Sequence, residues 1–295
     1  MKKSLLIIIL FLGIQSDSQN GWFQQYILSG YVFTGIHFVN NNTGYVSGYN
    51  ASSGIILKTT NQGSNWNVVS NINNSRLNSI FFINEQNGWV CGEEFNFYEP
   101  AIFRTTNGGI NWSLQVHNGV FGFTDIKFNS DTSGWCIGWL DQVYVTTNAG
   151  NNWIMHSGLG AEANNIFFIN YSFGWVACGG ETGSILRTTN GGINWIVSIH
   201  QWVGYNSVYF ANVDYGWAVG YYNDPFRGVI SRTTNGGVNW SPQIINIFDE
   251  VKSVYFVDTA NGWISADVYN ADINSFFLMT AAFHGNNKQH PYPLF

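Results

Sequence analysis

Five copies of one eight-residue motif constrain the fold of this chain more than any other feature. Every copy reads Thr-Thr-Asn-x-Gly-x-Asn-Trp, and consecutive closing tryptophans lie 41 to 46 residues apart, an interval typical of repeat architectures. The copies are Thr59–Trp66, Thr105–Trp112, Thr146–Trp153, Thr188–Trp195 and Thr233–Trp240. Because Asn and Gly tolerate positive φ, the motif predicts a tight turn between two strands, with its Trp anchoring the second strand in the core.

A first strand is predicted upstream of each motif, where a β-branched residue and a Phe flank one intervening residue. Such period-two spacing places both side chains on one face of a strand. The pairs are Ile36/Phe38, Ile80/Phe82, Ile126/Phe128, Ile166/Phe168, Val208/Phe210 and Val254/Phe256. A small or short polar residue precedes each pair and suits the crowded centre of a ring of sheets: Gly35, Ser79, Asp125, Asn165, Ser207 and Ser253.

A second strand follows about six residues later and begins with Gly and an aromatic residue. The six starts are Gly44-Tyr45, Gly88-Trp89, Gly134-Trp135, Gly174-Trp175, Gly216-Trp217 and Gly262-Trp263. In the fourth repeat one extra residue precedes Gly179, which predicts a β-bulge there. A third strand leads into the turn motif and a fourth follows its Trp. Four strands per repeat without a helical pattern predict an all-β fold, a β-propeller of four-stranded blades.

Counting the second strands predicts six blades, with seven as the alternative. The predicted propeller covers residues 19–285, with repeats near 33–70, 77–116, 123–157, 163–199, 205–244 and 251–280. The last repeat lacks the turn motif, whereas Gly21–Gln25 resembles a fourth strand without the other three. We therefore expect this N-terminal strand to complete the last blade and close the ring. Residues 286–295 are expected to form an irregular tail.

The N-terminus has the pattern of a bacterial Sec signal peptide over residues 1–18. Lys2 and Lys3 precede the apolar run Leu5–Leu12, and small residues stand before Gln19. The run is too short for a membrane-spanning helix, which needs about 20 residues. An uncleaved anchor is the alternative, because no Ala-x-Ala cleavage site is present. The expected location is extracellular or periplasmic.

Composition narrows the ligands that the chain can bind. Only 9% of the residues are charged, the formal net charge is −6 and the pI is about 5.4, all of which argue against nucleic acid as a partner. The cysteines, Cys91, Cys136 and Cys178, fall on the same strand of three successive repeats without metal-binding spacing. They are interpreted as small buried hydrophobes rather than disulfide partners or metal ligands. No cofactor and no metal site is predicted.

The turn motif resembles the Asp-box, or BNR repeat, of sialidases, sortilins and some glycoside hydrolases, with Asn in place of the usual Asp. The fuller unit, a Phe strand followed by Gly-Trp-x-x-Gly and Ile-Leu-Arg-Thr-Thr-Asn-Gly-Gly-x-Asn-Trp, is similar to propellers related to the photosystem II stability and assembly factor. The resemblance covers roughly residues 20–280. It implies a non-catalytic scaffold that holds a protein partner; in photosynthetic members the partner is a photosystem subunit. Separately, we expect a monomer whose partner is a cell-envelope or membrane protein, with carbohydrate as another candidate ligand.

Two sets of residues are candidates for partner binding. A basic residue precedes the motif in one register at Lys58, Arg104, Arg187 and Arg232. These cations either form an arc that meets a carboxylate-bearing partner or make a repeated structural contact. Loops that vary between the repeats contribute the aromatic residues Phe97, Tyr98, Trp202, Tyr221, Tyr222 and Phe226. They suit a protein hot spot or sugar stacking, or else they cover the edges of their own blades.

A carbohydrate-binding or sialidase-like glycoside hydrolase propeller is the alternative function. Sialidases need an arginine cluster and an Arg-Ile-Pro segment, which this sequence lacks. Carboxylates that would have to converge for glycoside hydrolysis are Asp125, Asp141, Glu181, Asp214 and Asp224. The histidines show no metal-binding or nucleophile motif. The sequence therefore predicts no catalytic residue.

Overall fold

The computed structural model describes residues 26–96, 99–116, 121–139, 141–180, 183–200, 202–223, 226–245, 249–270 and 273–282. Regular secondary structure in these ranges consists of β-strands, and no helix within them is long and apolar enough to cross a membrane. The predicted signal peptide, the strand expected at Gly21–Gln25 and the tail 286–295 lie outside these ranges. Closure by the N-terminal strand therefore stays a prediction.

The described strands form six sheets, five with four strands and one with three. The first sheet contains β1 (Val32–Phe38), β2 (Gly44–Tyr49), β3 (Ser53–Thr59) and β4 (Asn67–Asn73). The second contains β5 (Ser75–Phe82), β6 (Gly88–Glu94), β7 (Pro100–Thr105) and β8 (Ser113–Val116). The third contains β9 (Phe123–Phe128), β10 (Gly134–Gly138), β11 (Val143–Thr146) and β12 (Ile154–His156). The fourth contains β13 (Ala163–Phe168), β14 (Gly174–Cys178), β15 (Ser184–Thr188) and β16 (Ile196–His200). The fifth contains β17 (Val203–Phe210), β18 (Gly216–Asn223), β19 (Phe226–Thr233) and β20 (Ser241–Ile245). The sixth contains β21 (Glu250–Phe256), β22 (Asn261–Asn270) and β23 (Ile273–Ala282).

Strands within each sheet pair in chain order, as the four-strand repeat predicts. The turn motif lies between the third and fourth strands, at the same end of the sheet as the connection between the first and second strands. We call this the turn end and the opposite end the loop end. The all-β, β-propeller prediction is confirmed.

The sheets belong to two compact units. The first unit comprises the described residues up to Cys136 together with Thr146–Trp153. The second comprises Ile137–Val145 and the described residues from Ile154 onward. The division passes through the third sheet, and each unit is described separately below.

Stacked aromatic rings join neighbouring sheets inside each unit. The aromatic residue that opens a second strand lies face to face on the Phe that ends the first strand of the next sheet, with ring centroids 3.5 to 3.8 Å apart. The pairs are Tyr45–Phe82 and Trp89–Phe128 in the first unit, and Trp175–Phe210 and Trp217–Phe256 in the second. These second-strand rings are almost completely buried and anchor the core.

Glycine precedes the second-strand aromatic because the Phe of the same sheet lies across that position. A Cβ at Gly88 would stand 2.5 Å from the Phe82 ring, closer than real side chains approach. The same Phe contact occurs at Gly44, Gly134, Gly174, Gly216 and Gly262. The Gly-aromatic signature therefore encodes close packing of a strand on a ring.

The motif tryptophans differ from the expectation that they are the buried anchors. Trp66 is 7% exposed, whereas Trp112, Trp153, Trp195 and Trp240 are only partly buried. Each packs edge-on against the first-strand Phe of its own sheet, with centroids 5.8 to 6.0 Å apart. The motif rings are more exposed than the second-strand rings because the fourth strand of each sheet has solvent beside it.

The turn motif folds as expected and uses its Thr and Asn side chains as internal partners. In the second sheet Thr105 Oγ1 donates to Asn107 Oδ1 at 3.0 Å, and Gly109 N donates to Thr105 Oγ1 at 3.0 Å. Asn111 N donates to Asn107 Oδ1 at 3.0 Å. The same three bonds recur in the other four copies. Gly108 and Gly109 have φ of 69° and 87°, which explains the glycines at the turn.

A β-bulge in the first strand, which the sequence did not reveal, ties neighbouring sheets together. The register shifts at Phe33/Gly35, Leu77/Ser79, Ala163/Asn165, Tyr205/Ser207 and Val251/Ser253. The residue inside the bulge donates a side-chain hydrogen bond of 2.7 to 3.0 Å to a backbone carbonyl of the next sheet. These donors are Thr34, Asn78, Asn164 and Asn206. The bulge predicted at Gly179 is wrong, since β14 pairs with β15 without a shift and ends at Cys178.

Candidate binding surfaces

The four basic residues lie opposite the second-strand aromatics. In the strand register Lys58 pairs with Tyr45, Arg104 with Trp89, Arg187 with Trp175, and Arg232 with Trp217. All four are half-buried. Lys58 and Arg104 belong to neighbouring sheets of the first unit, and Arg187 and Arg232 to neighbouring sheets of the second.

Three of these cations lie over aromatic rings. Lys58 Nζ is 5.1 Å from the Tyr45 centroid. The Arg104 guanidinium is 5.6 Å from the Trp89 ring, and its Nη1 donates to Asn151 Oδ1 in the next turn motif at 2.8 Å.

Arg232 shows the same arrangement in the fifth sheet. Its guanidinium lies 5.9 Å from the Trp217 ring and 5.7 Å from the Tyr215 ring. Cation–π contacts and half-burial give the basic register an internal packing role.

Four of the predicted aromatics lie at the loop end of the fifth sheet. Trp202 immediately precedes β17, and its carbonyl accepts a hydrogen bond from Asn223 N, at the end of β18, at 3.3 Å. Tyr221 and Phe226 lie on β18 and β19, with ring centroids 5.0 Å apart. Tyr222 pairs with Val203 in the register. Phe97 and Tyr98 fall outside the described residues.

These aromatics differ in their accessibility. Trp202 is 63% exposed and Phe226 is 42% exposed. Tyr222 packs against the core cluster between the fourth and fifth sheets, so it serves the fold. Tyr221 is half-buried and lies over Gly204, where a Cβ would stand 2.6 Å from its ring. Trp202 and Phe226 are therefore the members that solvent reaches most easily.

Charged groups surround Tyr221. Burial raises the pKa of the Tyr221 phenol, and the Glu250 carboxylate nearby raises it further, whereas the Lys252 ammonium lowers it. The exposed Glu162 carboxylate also acts to raise this pKa. Lys252 Nζ lies 2.6 Å from Glu250 Oε2 and 3.5 Å from Asp267 Oδ2. Acidic groups therefore lie close to the aromatic residues at the loop end of the fifth sheet.

Two of the carboxylates considered for hydrolysis accept hydrogen bonds from their own surroundings. Asp125 is buried and accepts hydrogen bonds from Ser79 Oγ at 2.6 Å and from Ile126 N at 2.9 Å. In the second unit Asp141 lies at the loop end of the third sheet and accepts from Gly158 N and Gly160 N, both at 2.7 Å.

The other carboxylates considered for hydrolysis are Asp214, Glu181 and Asp224. Asp214 lies at the turn end of the fifth sheet, whereas Asp141 lies at the loop end of the third. The backbone carbonyl of Asp214 accepts a hydrogen bond from Gly236 N. Glu181 and Asp224 lie outside the described residues. Within the described ranges, no three His, Cys, Asp or Glu side chains are grouped as metal ligands.

Two groups of residues were not predicted from the sequence as candidate binding residues. Apolar side chains are exposed at the turn end of the fourth to sixth sheets: Tyr171, Phe173, Ile193, Val213, Val238 and Val257. The intervening residue of each first strand forms a second group: His37, Phe81 and Lys127 in the first unit, and Phe167, Tyr209 and Tyr255 in the second. Tyr209 lies 5.0 Å from both Phe167 and Tyr255, and burial followed by the Tyr255 contact raises its pKa to about 12. The sequence feature that could have identified Tyr209 is its position between the β-branched residue and the Phe of the first-strand pair.

Solved structures with the same arrangement of strands are known. A GH74 enzyme from Niastella koreensis matches with a TM-score of 0.65 and 14% identity, over 83% of this chain and 46% of that chain. The GH74 xyloglucanase from Xanthomonas campestris matches with a TM-score of 0.60 and 13% identity, over 85% and 46%. The fold is that of a β-propeller. This chain spans about half the length of these two enzymes, and at such identities the likeness shows the fold alone.

Two structures of YCF48 also match, with lower TM-scores. YCF48 from Cyanidioschyzon merolae matches with a TM-score of 0.49 and 15% identity, over 90% of this chain and 99% of that chain. YCF48 bound to D1 peptide matches with a TM-score of 0.45 and 16% identity, over 86% and 98%. No protein-family profile matches the chain, and no curated protein sequence matches it.

Proposed function

We propose that this chain is an exported, non-catalytic propeller scaffold that binds a protein through the loop end of its fifth sheet. The observation that carries the proposal is the exposure of Trp202 and Phe226 at one end of one sheet, where their backbone segments flank the end of β18 at Asn223. Large aromatic rings held in solvent on a rigid sheet end are typical of interface hot spots. The basic register supports this choice of surface, because three of its four side chains already contact rings within the protein.

The surface chemistry favours a partner segment that combines an apolar side chain with Lys or Arg. The aromatic rings offer an apolar contact and faces for a cation. The exposed Glu162 lies close enough to influence the Tyr221 phenol, so its carboxylate complements a basic group, whereas Glu250 is already paired with Lys252. Export to the periplasm or cell surface, which the signal-peptide pattern predicts, places the expected partner in the cell envelope.

The test compares two pairs of substitutions at opposite ends of the sheets. Trp202→Ser with Phe226→Ser removes the loop-end rings, whereas Ile193→Ser with Val238→Ser removes similarly exposed apolar side chains at the turn end. A partner captured stoichiometrically from the native envelope is purified, and its Kd is measured for the wild type and both variants. We expect the loop-end variant to bind at least ~30-fold more weakly, as hot-spot truncation does, and the turn-end variant to bind normally. Unchanged melting of both variants is the control, and the reverse order of affinities would overturn the assignment.

Carbohydrate is a second candidate ligand, and the observation that favours it is the exposed indole of Trp202. A flat aromatic face can stack on a sugar ring as well as on a protein side chain. Glycan-array binding that disappears in Trp202→Ser, together with the absence of a stoichiometric protein partner, would favour this alternative. Release of reducing sugar from a bound polysaccharide would favour the hydrolase form of it.

A further inference from the structure

Three of the five turn motifs contain an Asn-Gly peptide, in which an asparagine side chain can react with its own main chain. These peptides are Asn107-Gly108, Asn190-Gly191 and Asn235-Gly236. In the reaction the backbone nitrogen after the asparagine attacks the side-chain Cγ, and glycine has no Cβ to hinder the approach. The other two motif copies have Asn61-Gln62 and Asn148-Ala149 at the same place. The five turns therefore share one fold but differ in their chemistry.

The fold holds the attacking nitrogen in all three Asn-Gly turns. Each glycine N–H donates a hydrogen bond to a backbone carbonyl of the hairpin between the first and second strands of its own sheet. The bonds are Gly108 N to Gln86 O at 2.9 Å, Gly191 N to Ser172 O at 3.0 Å and Gly236 N to Asp214 O at 2.9 Å. Because the nitrogen must lose its proton to attack, and the carbonyl holds that proton, the turn has to separate from the hairpin before the nitrogen can react.

The side chain that would be attacked is held as well. Asn107 Oδ1 accepts hydrogen bonds from Thr105 Oγ1 and from Asn111 N, both at 3.0 Å. The equivalent bonds at Asn190 and Asn235 measure 2.9 to 3.0 Å. Turning Cγ toward the next backbone nitrogen breaks these bonds. That movement is unfavourable because Thr105 is buried and its hydroxyl would lose its partner.

We propose that Asn107, Asn190 and Asn235 are deamidation sites that the folded turn protects and that react when the turn opens. The nitrogen of the following glycine, after losing its proton, forms a bond with Asn Cγ. The bond from Cγ to the side-chain nitrogen breaks, and ammonia is released. Water then opens the resulting cyclic imide at either of its carbonyl carbons, which gives aspartate or isoaspartate. No oxidant or reductant takes part.

The two products affect the turn differently. Aspartate keeps a carboxylate oxygen where Oδ1 was, so it can accept the same hydrogen bonds. Isoaspartate passes the main chain through the former side chain, which adds a carbon atom to the backbone and displaces the glycine N–H from the hairpin carbonyl. Opening of a turn is therefore converted into a permanent defect of that turn wherever isoaspartate forms.

The test incubates the full-length protein in a mildly alkaline buffer, either folded or denatured in urea, and measures deamidation at each asparagine by peptide mapping with tandem mass spectrometry. In the denatured chain we expect the three Asn-Gly sites to react at least ~10-fold faster than Asn61 and Asn148, which lack the following glycine. In the folded protein the same three sites should react at least ~10-fold more slowly than in the denatured chain, because reaction then waits for local opening. Equal rates in the two samples, or equal rates at all five asparagines of the denatured chain, would refute the proposal.

The variant Ala149→Gly creates a fourth Asn-Gly turn in the third sheet. Glycine suits this position because Ala149 has a φ of 59°, and Ala149 N already donates to the Thr132 carbonyl at 2.8 Å. We expect Asn148 to become reactive in the denatured variant and to stay protected in the folded one. Reaction of Asn148 at the denatured rate in the folded variant would show that the hydrogen bonds of the turn do not protect it.

The variant Thr105→Ala tests whether protection is local to each turn. It removes one of the donors to Asn107 Oδ1 and leaves the Asn107-Gly108 peptide unchanged. Deamidation at Asn107 in the folded variant should accelerate at least ~5-fold, because a lost buried hydrogen bond makes opening easier. Asn190 and Asn235, which lie in other sheets, should keep their wild-type rates. An unchanged rate at Asn107, or the same acceleration at all three sites, would contradict protection by the individual turn.

Discussion

Tyr45 stacks face to face on Phe82, with ring centroids 3.5 Å apart and ring planes 4° apart. The pair joins the first and second sheets, and the Tyr45 hydroxyl donates to the Glu85 carbonyl at 2.8 Å. Lys58 covers the same Tyr ring. One position therefore combines apolar burial, a hydrogen bond and a cation–π contact, and its equivalents in other sheets should contribute strongly to stability.

Substitution of a second-strand tryptophan should destabilise the protein more than substitution of a motif tryptophan. Trp175→Ala removes a fully buried ring and the hydrogen bond from Nε1 to the Gly236 carbonyl, so we expect a loss of ~3 to 5 kcal/mol. Trp195→Ala removes a partly buried ring that contacts Phe168 edge-on, and about 1 to 3 kcal/mol is expected. Urea unfolding measures both. Equal losses would mean that the motif ring is as much an anchor as the second-strand ring.

Within the turn motif, the first threonine should matter and the second should not. Thr105 is buried and its hydroxyl is shared between Asn107 and Gly109, whereas the adjacent Thr106 is exposed. Thr105→Ala should cost ~1 to 3 kcal/mol because buried hydrogen-bonding groups lose their partner. Thr106→Ala should stay within ~0.5 kcal/mol of the wild type in the same unfolding measurement.

The substitution Asn107→Asp tests whether Asn107 acts only as a hydrogen-bond acceptor in the turn motif. Asn107 Oδ1 only accepts hydrogen bonds, from Thr105 and Asn111, and a carboxylate can accept the same two. We expect unchanged or slightly higher stability. A loss as large as that of Thr105→Ala would contradict the acceptor role.

Neutralising the basic register should lower stability and leave partner affinity unchanged. Arg104→Ala removes a guanidinium from above Trp89 and leaves Asn151 without its donor, so about 1 to 2 kcal/mol should be lost. Arg104→Lys is the control that keeps the charge. Binding to the partner is then measured for a variant in which Lys58, Arg104, Arg187 and Arg232 are all replaced by Ala. If that variant binds more weakly and with less salt dependence, while its melting is unchanged, the basic residues form a binding surface after all.

Acid should destabilise the protein through His37. Burial, and then the charge of Lys127, lower the pKa of His37 from 6.5 to about 4, and the ring packs 4.2 Å from Phe81. Its Nδ1 accepts a hydrogen bond from Phe82 N, which protonation would abolish. Between pH 4 and pH 6.5 the unfolded chain binds more protons at this site than the folded one, so stability should fall by roughly 3 kcal/mol as the pH drops through that window.

The variant His37→Phe isolates this contribution. Phe81 and Phe167 occupy the equivalent position in the second and fourth sheets, so the ring shape suits the site. Unfolding free energies measured from pH 7 to pH 4 should fall less steeply in the variant than in the wild type. Parallel curves would show that His37 titrates normally in the folded protein.

Local patterns in the sequence were sufficient to predict most of the fold. The four-strand repeat, the tight turn and the Gly-aromatic start of the second strand follow from residue spacing and turn chemistry, which act over a few neighbouring residues. Partner binding was less predictable. Tyr221, Tyr222 and Trp202 look alike in the sequence, yet Tyr222 packs in the core and Trp202 projects into solvent.

What the sequence by itself determined is the repeating unit, because each strand and turn carries its own signal. What only the tertiary structure decided is how one repeat meets the next. Trp89 is buried because Phe128 of the following sheet covers it. Arg104 donates a hydrogen bond to Asn151 because the turn motif of the following sheet lies beside it. Each of these contacts joins residues about forty positions apart, and no local pattern encodes the packing of two sheets that brings them together.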